Sequence, residues 1–435
     1  MNESRNSMRA SPRSTKALWI ALAVCAAIVA GTFTGIATYL AFVLTVVAIV
    51  LLTEEDALCL MMMIMPFANI FKPSVDAQSF FTYLILFYVL WHFVKYQSIH
   101  KGFLKALAFL IVFLAVQMSV SVHILRTIKF VANLILIYLA VKSCDSGGIK
   151  KVCIFYILGI VLSTSVAALN IIHNLSDYIG AKDITIENEQ VSRFTGMYAD
   201  PNYFSINVII SLCLIVILNH KKELAAIPAI FLGVLLVMFA TMTLSKSAFL
   251  MLSLPLVLLL YSKVKSGKYF VVFCVLLLCV IGAFEVFAGN IEIFNDVLHR
   301  LDQASDVNSL TTGRSNIWVN YFNYLVSHPV TFLFGGGFGA ALVGSRASHN
   351  TYIDMLYYLG IGGTILLISV LRVLSNIRSN TARLNLLNYS IWICVAIMYF
   401  FLSELFYFDW AFHIIIAILI LRTNMTQAID EGNDS

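Results

Sequence analysis

The sequence predicts an all-α fold, a polytopic integral membrane protein with about 12–14 transmembrane helices and a large extracytoplasmic loop that carries a surface helix. Three observations predict it. The chain is 60% hydrophobic and only 12% charged, about half the charge with which a soluble domain coats itself against water. Apolar runs of about 17–20 residues, the length a bilayer core requires, recur along nearly all of it. The runs are continuous and rich in Leu, Ile, Val and Phe, without the apolar/polar alternation of outer-membrane barrels.

In chain order the runs fall at 17–32, 35–52, 57–71, 79–95, 103–118, 127–142, 151–170, 203–219, 225–241, 245–261, 269–287, 351–371, 386–402 and 405–421. Those at 57–71 and 127–142 are short, which is why the count has a range. The basic lead before the first run reads as the flank of a transmembrane helix. A cleaved leader would need a small-residue cleavage site before a soluble domain, and here a second run follows at once. Orientation comes from Lys and Arg. With a basic cytoplasmic tail at 1–16, the positions Lys101, Lys150, Lys151, Lys221, Lys222, Arg372, Arg378 and Arg383 all share its side, an excess of roughly two to one over the other face. The membrane domain then covers 17–422, both termini (1–16 and 423–435) are cytoplasmic, and two polar segments, 171–202 and 288–350, lie outside.

The net charge of +5 is spread among short loops and does not point to nucleic acid. Seven of the eight cysteines sit within apolar runs, Cys144 sits in a short basic loop, and neither outer segment contains one. This excludes a disulfide framework and a spaced metal cluster. In the second outer segment, 313–328 carries Ile317, Trp318, Tyr321, Phe322 and Leu325 at the spacing of one helical face, suited to lying along a membrane surface. Thr312 is a suitable N-cap and Pro329 follows the end. The run Gly335-Gly336-Gly337-Phe338-Gly339 reads as a flexible loop.

Most cations near helix ends snorkel to lipid headgroups, but a few residues call for more. Arg193 lies outside, against the charge bias, and its planar fork suits phosphate. Asp200 and Asn202 precede an apolar run, where an N-cap is the ordinary role. Arg314 stands in the first turn of the surface helix, where the helix dipole disfavours a cation; a salt bridge to Asp302 or Asp306 is the alternative. His349 stands at the outer mouth of a run with Asn350 beside it and Asp354 one turn further in. Histidine exchanges protons near neutral pH, and an intramembrane carboxylate needs a partner; capping and interhelical hydrogen bonding are the plainer readings. Gly360, Gly362 and Gly363 suit close helix packing. Lys246 sits in a short polar hairpin, and Glu404 and Asp409 read as solvated acids at the last outer turn.

Four of these stretches together resemble the superfamily of O-antigen ligases and O-antigen and capsular polysaccharide polymerases, bacterial inner-membrane glycosyltransferases. The resemblance covers roughly 190–365 and rests on His349-Asn350, nine residues, then Gly360-Ile361-Gly362-Gly363. Beside it stand Arg193 with Asp200-Pro201-Asn202, Thr312-Gly313-Arg314 with Trp318, and Leu244-Ser245-Lys246-Ser247. Many members carry arginine where this chain has Lys246. The resemblance implies transfer of a glycan from undecaprenyl pyrophosphate to an acceptor glycan or glycolipid, with inversion, without metal and without any cofactor; no Asp-x-Asp pair appears in either outer segment. It implies that Arg193 and Arg314 offset pyrophosphate charge, that His349 acts on the acceptor hydroxyl, and that Lys246, Asn350, Asn202 and Asp354 bind substrate. Membrane lipids and a chain-length regulator are the further partners it suggests. Within the family, polymerase is the preferred activity and ligase the alternative. From another class, a transporter or flippase predicts paired inverted repeats and mid-membrane charges, and no repeat is visible.

Overall fold

The computed structural model describes residues 12–73, 77–95, 99–173, 180–186, 189–198, 200–243, 245–263, 314–377, 386–403, 405, 407 and 409–422. The expected run at 269–287, the Thr312 cap, Asp302, Asp306 and Glu404 lie outside these. The helices of the first part are α1 (Pro12–Gly31), α2 (Gly35–Leu51), α3 (Glu54–Ile64), α4 (Phe80–Lys95), α5 (Lys101–Met118), α6 (Ile124–Ser143) and α7 (Ser146–His173). A hairpin of β1 (Gly180–Ile186) and β2 (Glu189–Gly196) follows, then α8 (Pro201–His220), α9 (Ala226–Met242) and α10 (Lys246–Lys263). The last part holds α11 (Arg314–Ser327), α12 (Pro329–Phe334), α13 (Thr351–Asp354), α14 (Gly360–Asn376), α15 (Leu386–Met398) and α16 (Asp409–Arg422).

Among the described residues, five helical stretches are able by length and composition to cross a membrane: 101–118, 124–143, 146–170, 201–220 and 351–376. Six shorter apolar helices accompany them. The chain is a multi-pass helical membrane protein. The run expected at 127–142 is a full helix, Ile124–Ser143. The one at 57–71 is not: α3 has 11 residues and ends in a 3-10 turn at Met65–Phe67, which at 1.5 Å per residue covers only about half a bilayer core. Thr53 caps it by accepting from the Asp56 N–H, and nearly every side chain from Ala57 to Ile64 is fully buried. A helix apolar all round belongs inside a bundle. The same holds for α8 and α16, whose residues are buried on every face. The rim is formed by helices such as α2, α5 and α9, where Val43, Val47, Phe109, Val112, Phe231 and Val234 stay exposed.

Residues 171–202, expected as a polar loop, hold a strand pair. Strands β1 and β2 pair antiparallel, with Ile184 opposite Val191 and Lys182 opposite Arg193. Ile184, Thr185 and Ile186 are β-branched, the one strand signal available there.

The expected span at 351–371 is broken. After α13 the chain makes a π turn at Met355–Leu359, and Gly360 then takes φ +66° and ψ −178°. Two backbone carbonyls in this break, of Tyr357 and Tyr358, accept from the N–H groups of Gly336 (2.8 Å) and Gly337 (3.1 Å). Gln117 from α5 reinforces the joint, donating to the Tyr358 carbonyl (3.0 Å) and to that of Phe334. Inside a membrane protein an opened ladder must find such partners. The glycine run is therefore a loop, as expected, but a docked one. Gly335 and Gly337 have φ +77° and +73°, and a Cβ on Gly360 would overlap the Gly335 nitrogen and the Leu333 carbonyl. Close helix packing is the role of Gly363, against Phe113 of α5; Gly360 serves backbone conformation and loop contact.

Gly360→Ala is expected to destabilise the protein by more than about 2 kcal/mol, since it adds a left-handed penalty to a backbone overlap. Gly233→Ala, in α9 with open space around it, is expected to be neutral or slightly stabilising. Thermal denaturation of both in detergent checks the contrast.

Candidate functional site

The residues singled out in the sequence gather at one end of the bundle, where α8, α10, α13 and α16 begin and α9 and α15 end. The start of α8 is built first by its cap. Asp200 is extended and accepts from the Asn202 N–H at 2.8 Å, with Pro201 at the first helical position, the ordinary use of both residues. Asp200 also accepts from the Asn202 amide (2.8 Å), which turns the amide oxygen toward Ser245, whose hydroxyl donates to it at 2.7 Å. Asn202 thus ties α8 to the residue before α10, and Lys246 opens that helix. Arg193, on β2, donates from Nε to the Thr243 carbonyl at 2.8 Å. The Thr243 hydroxyl accepts from the Ser205 hydroxyl (3.4 Å) and the Ser245 N–H (3.3 Å), so Arg193 and Asn202 belong to one hydrogen-bonded group.

Arg314 opens α11 and donates from Nη1 to the Phe401 carbonyl at 2.6 Å. Burial pulls the guanidinium below its ordinary value, and the neighbouring Asp200 and Tyr203 oppose that pull. A guanidinium stays charged under such a shift, so this is a cation partly stripped of water, with Asp200 as the carboxylate facing it. Tyr203 in turn donates to the Ser403 carbonyl at 3.1 Å.

His349 sits between two anchored residues. Ser348, fully buried, accepts at its carbonyl from Trp318 Nε1 (2.9 Å), and its hydroxyl donates to Asp354 (2.6 Å). On the other side, Asn350 caps α13 by accepting from the N–H groups of Tyr352 (3.0 Å) and Ile353 (3.1 Å). Thr351 donates its N–H to the Tyr399 carbonyl (2.9 Å) and its hydroxyl to that of Leu402. Held from both sides, His349 has φ +50° and stands exposed. A non-glycine residue in the left-handed region costs about 1 kcal/mol or more. The histidine side chain is displayed toward the open face while Ser348 and Asn350 on either side point inward.

Of the residues expected to contact substrate, Asn202, Asn350 and Asp354 commit side-chain oxygens to internal bonds. The surface helix also faces differently than its periodicity suggests. Tyr321 and Leu325 are buried against the protein, with Tyr321 donating to the Arg346 carbonyl (2.9 Å). Val319, Phe322 and Val326 form the exposed apolar side, at 55%, 60% and 65% exposure.

Asp409 corrects the expectation of a solvated acid: it is 1% exposed. It accepts from the Asn207 amide (3.0 Å), whose oxygen accepts from Tyr156 (2.6 Å) and lies 3.1 Å from His413 Nε2. His413 Nδ1 is 3.3 Å from the Tyr399 hydroxyl. A carboxylate and an imidazole four residues apart in an apolar run would have pointed to this buried group. Ser348, Ser403 and Tyr203 left no comparable signal. No family model, no curated protein and no solved structure matches the chain.

The left-handed turn gives a direct check. His349→Gly is expected to be more stable than His349→Ala by about 1 kcal/mol, because alanine pays for positive φ and glycine does not. Equal melting temperatures for the two variants would show that the turn relaxes.

Proposed function

We propose that the chain is an inverting, metal-independent glycosyltransferase that acts on undecaprenyl-pyrophosphate-linked oligosaccharides at the outer face of the bacterial cytoplasmic membrane, joining repeat units into a polysaccharide. In this reading it belongs with the O-antigen ligases and the O-antigen and capsular polymerases, spans the membrane 12 to 14 times, and keeps both termini in the cytoplasm. Residues 288–350 then form an extracytoplasmic loop, and α11 rests at the bilayer surface with Val319, Phe322 and Val326 toward lipid, consistent with their exposure.

The observation that carries the reading is the histidine turn. An exposed His349 held at φ +50° stands two residues before Thr351, which bonds the same 399–403 backbone as the partly desolvated Arg314. In the proposed step the acceptor hydroxyl attacks the anomeric carbon and the bond to the pyrophosphate oxygen breaks. His349 takes the hydroxyl proton, a contribution of roughly 10²–10⁴ in rate. Arg314 and Arg193 offset the charge that develops on the leaving pyrophosphate, where a partly dehydrated cation acts most strongly. Lys246 adds positive charge to the same donor. Asn202, Asn350 and Asp354 hold this arrangement in register.

Two measurements test the proposal. Deleting the gene and resolving surface polysaccharide on a gel should leave single repeat units on their anchor. Free polymer with an unsubstituted anchor would indicate ligase activity instead, and an unchanged pattern would sink both. With a purified lipid-linked donor, His349→Ala and Arg314→Ala should each lower transfer at least about 100-fold at unchanged expression, and EDTA should have no effect on the parent protein.

A further inference from the structure

A cavity of about 190 Å³ opens beside the candidate site, between the start of α4, the second and third turns of α6, and Tyr407. At roughly 30 Å³ per water it has room for about six waters, the space of one sugar ring. Its polar wall comes from Gln78, Ser79, Thr82, Lys129 and Asn133, and among the described residues no acidic one lines it. Asn133 is 5% exposed and Thr82 9%. Neither side chain has a hydrogen-bond partner among the described residues, although both line open space. Lys129 and Asn133 stand four residues apart on α6 and so share a face. Lys129 has no carboxylate partner among the described residues.

Buried amides and hydroxyls are almost always hydrogen-bonded. Asn133 and Thr82, without such a bond among the described residues, face this sugar-sized space beside the Lys129 ammonium and present polar groups to the oxygens of a ligand placed there. Tyr407 joins this cavity to the candidate site: its ring lies 4.5 Å from that of Tyr203, and Tyr203 is a neighbour of Arg314. One pair of tyrosines therefore separates the cavity from the charged centre.

We propose that this cavity binds an acidic sugar, with Lys129 on its carboxylate or phosphate, Asn133 and Thr82 on its hydroxyls, and Tyr407 under the ring, and that it selects the acceptor chain. The acceptor role rests on the glycosyltransferase reading; the binding does not.

The test is therefore made without donor. Binding of methyl glucuronide, glucose 6-phosphate and methyl glucoside to the purified full-length protein in nanodiscs is followed by saturation-transfer NMR and titration. One or both acidic sugars should bind, the carboxylate and phosphate probes identifying which anion is used, and the neutral glucoside at least tenfold more weakly. Lys129→Gln should weaken acidic-sugar binding tenfold or more, Asn133→Leu should weaken both classes, and Arg314→Ala should leave binding intact. Melting temperatures establish that each variant is folded. Equal binding of neutral and acidic sugars, indifference to Lys129→Gln, or loss in Arg314→Ala would overturn the proposal. So would occupancy by a short-chain anionic phospholipid alone. If the acidic sugar binds as expected while the deletion strain's polysaccharide is unchanged, the transferase reading fails and the sugar site stands.

Discussion

An uncoiled stretch of backbone, 399–403, holds the candidate site together. Between α15 and α16 its carbonyls are released from helical bonding and shared out: Tyr399 and Leu402 to Thr351, Phe401 to Arg314, Ser403 to Tyr203. Three segments distant in sequence are thereby fixed to one strip of main chain. The interaction is suited to a membrane protein, because exposed carbonyls within the bilayer must be satisfied by protein groups. Side chains of the strip add to this anchoring: the Ser403 hydroxyl lies 3.4 Å from that of Ser348, and the Phe400 ring packs edge-on against Trp318.

Anchoring through backbone carbonyls leaves little trace in a sequence, and what was legible there is local. Hydropathy and the Lys/Arg bias need no tertiary information, so most helices were found. Asp200 was readable as a cap because capping is local. Arg314 stood out because a cation opposes the helix dipole in a first turn, and His349 because a side chain that titrates near neutral pH stands at the mouth of an apolar run. The break at 355–360 was hidden, since Met355 to Leu359 is as apolar as any helix interior, and only Gly360 marked it. The hairpin at 180–196 was obscured by its polar composition. Asp409 looked solvated from its place next to a turn, and its burial depends on Asn207, some two hundred residues earlier.

The buried group around Asn207 lies directly under the histidine turn. Tyr399 belongs to both, its hydroxyl near His413 and its carbonyl accepting from Thr351. Polar groups in a low-dielectric interior are costly when partly satisfied and rigid when fully satisfied. Asp409 keeps one oxygen without a partner among the described residues. The layer beneath the site is therefore held by directional bonds, in contrast with the aliphatic packing around it.

The interval between His349 and Gly360 is a ruler. At one end, Thr351 clamps the chain to Tyr399 and Leu402; at the other, Gly360 abuts Gly335 and the opened carbonyls receive the glycine loop. Both clamps have fixed positions, and the chain between them is one short helix and one π turn. Its length is thus dictated by the gap to be bridged. A protein built on this plan is free to vary the residues between histidine and glycine far more readily than their number.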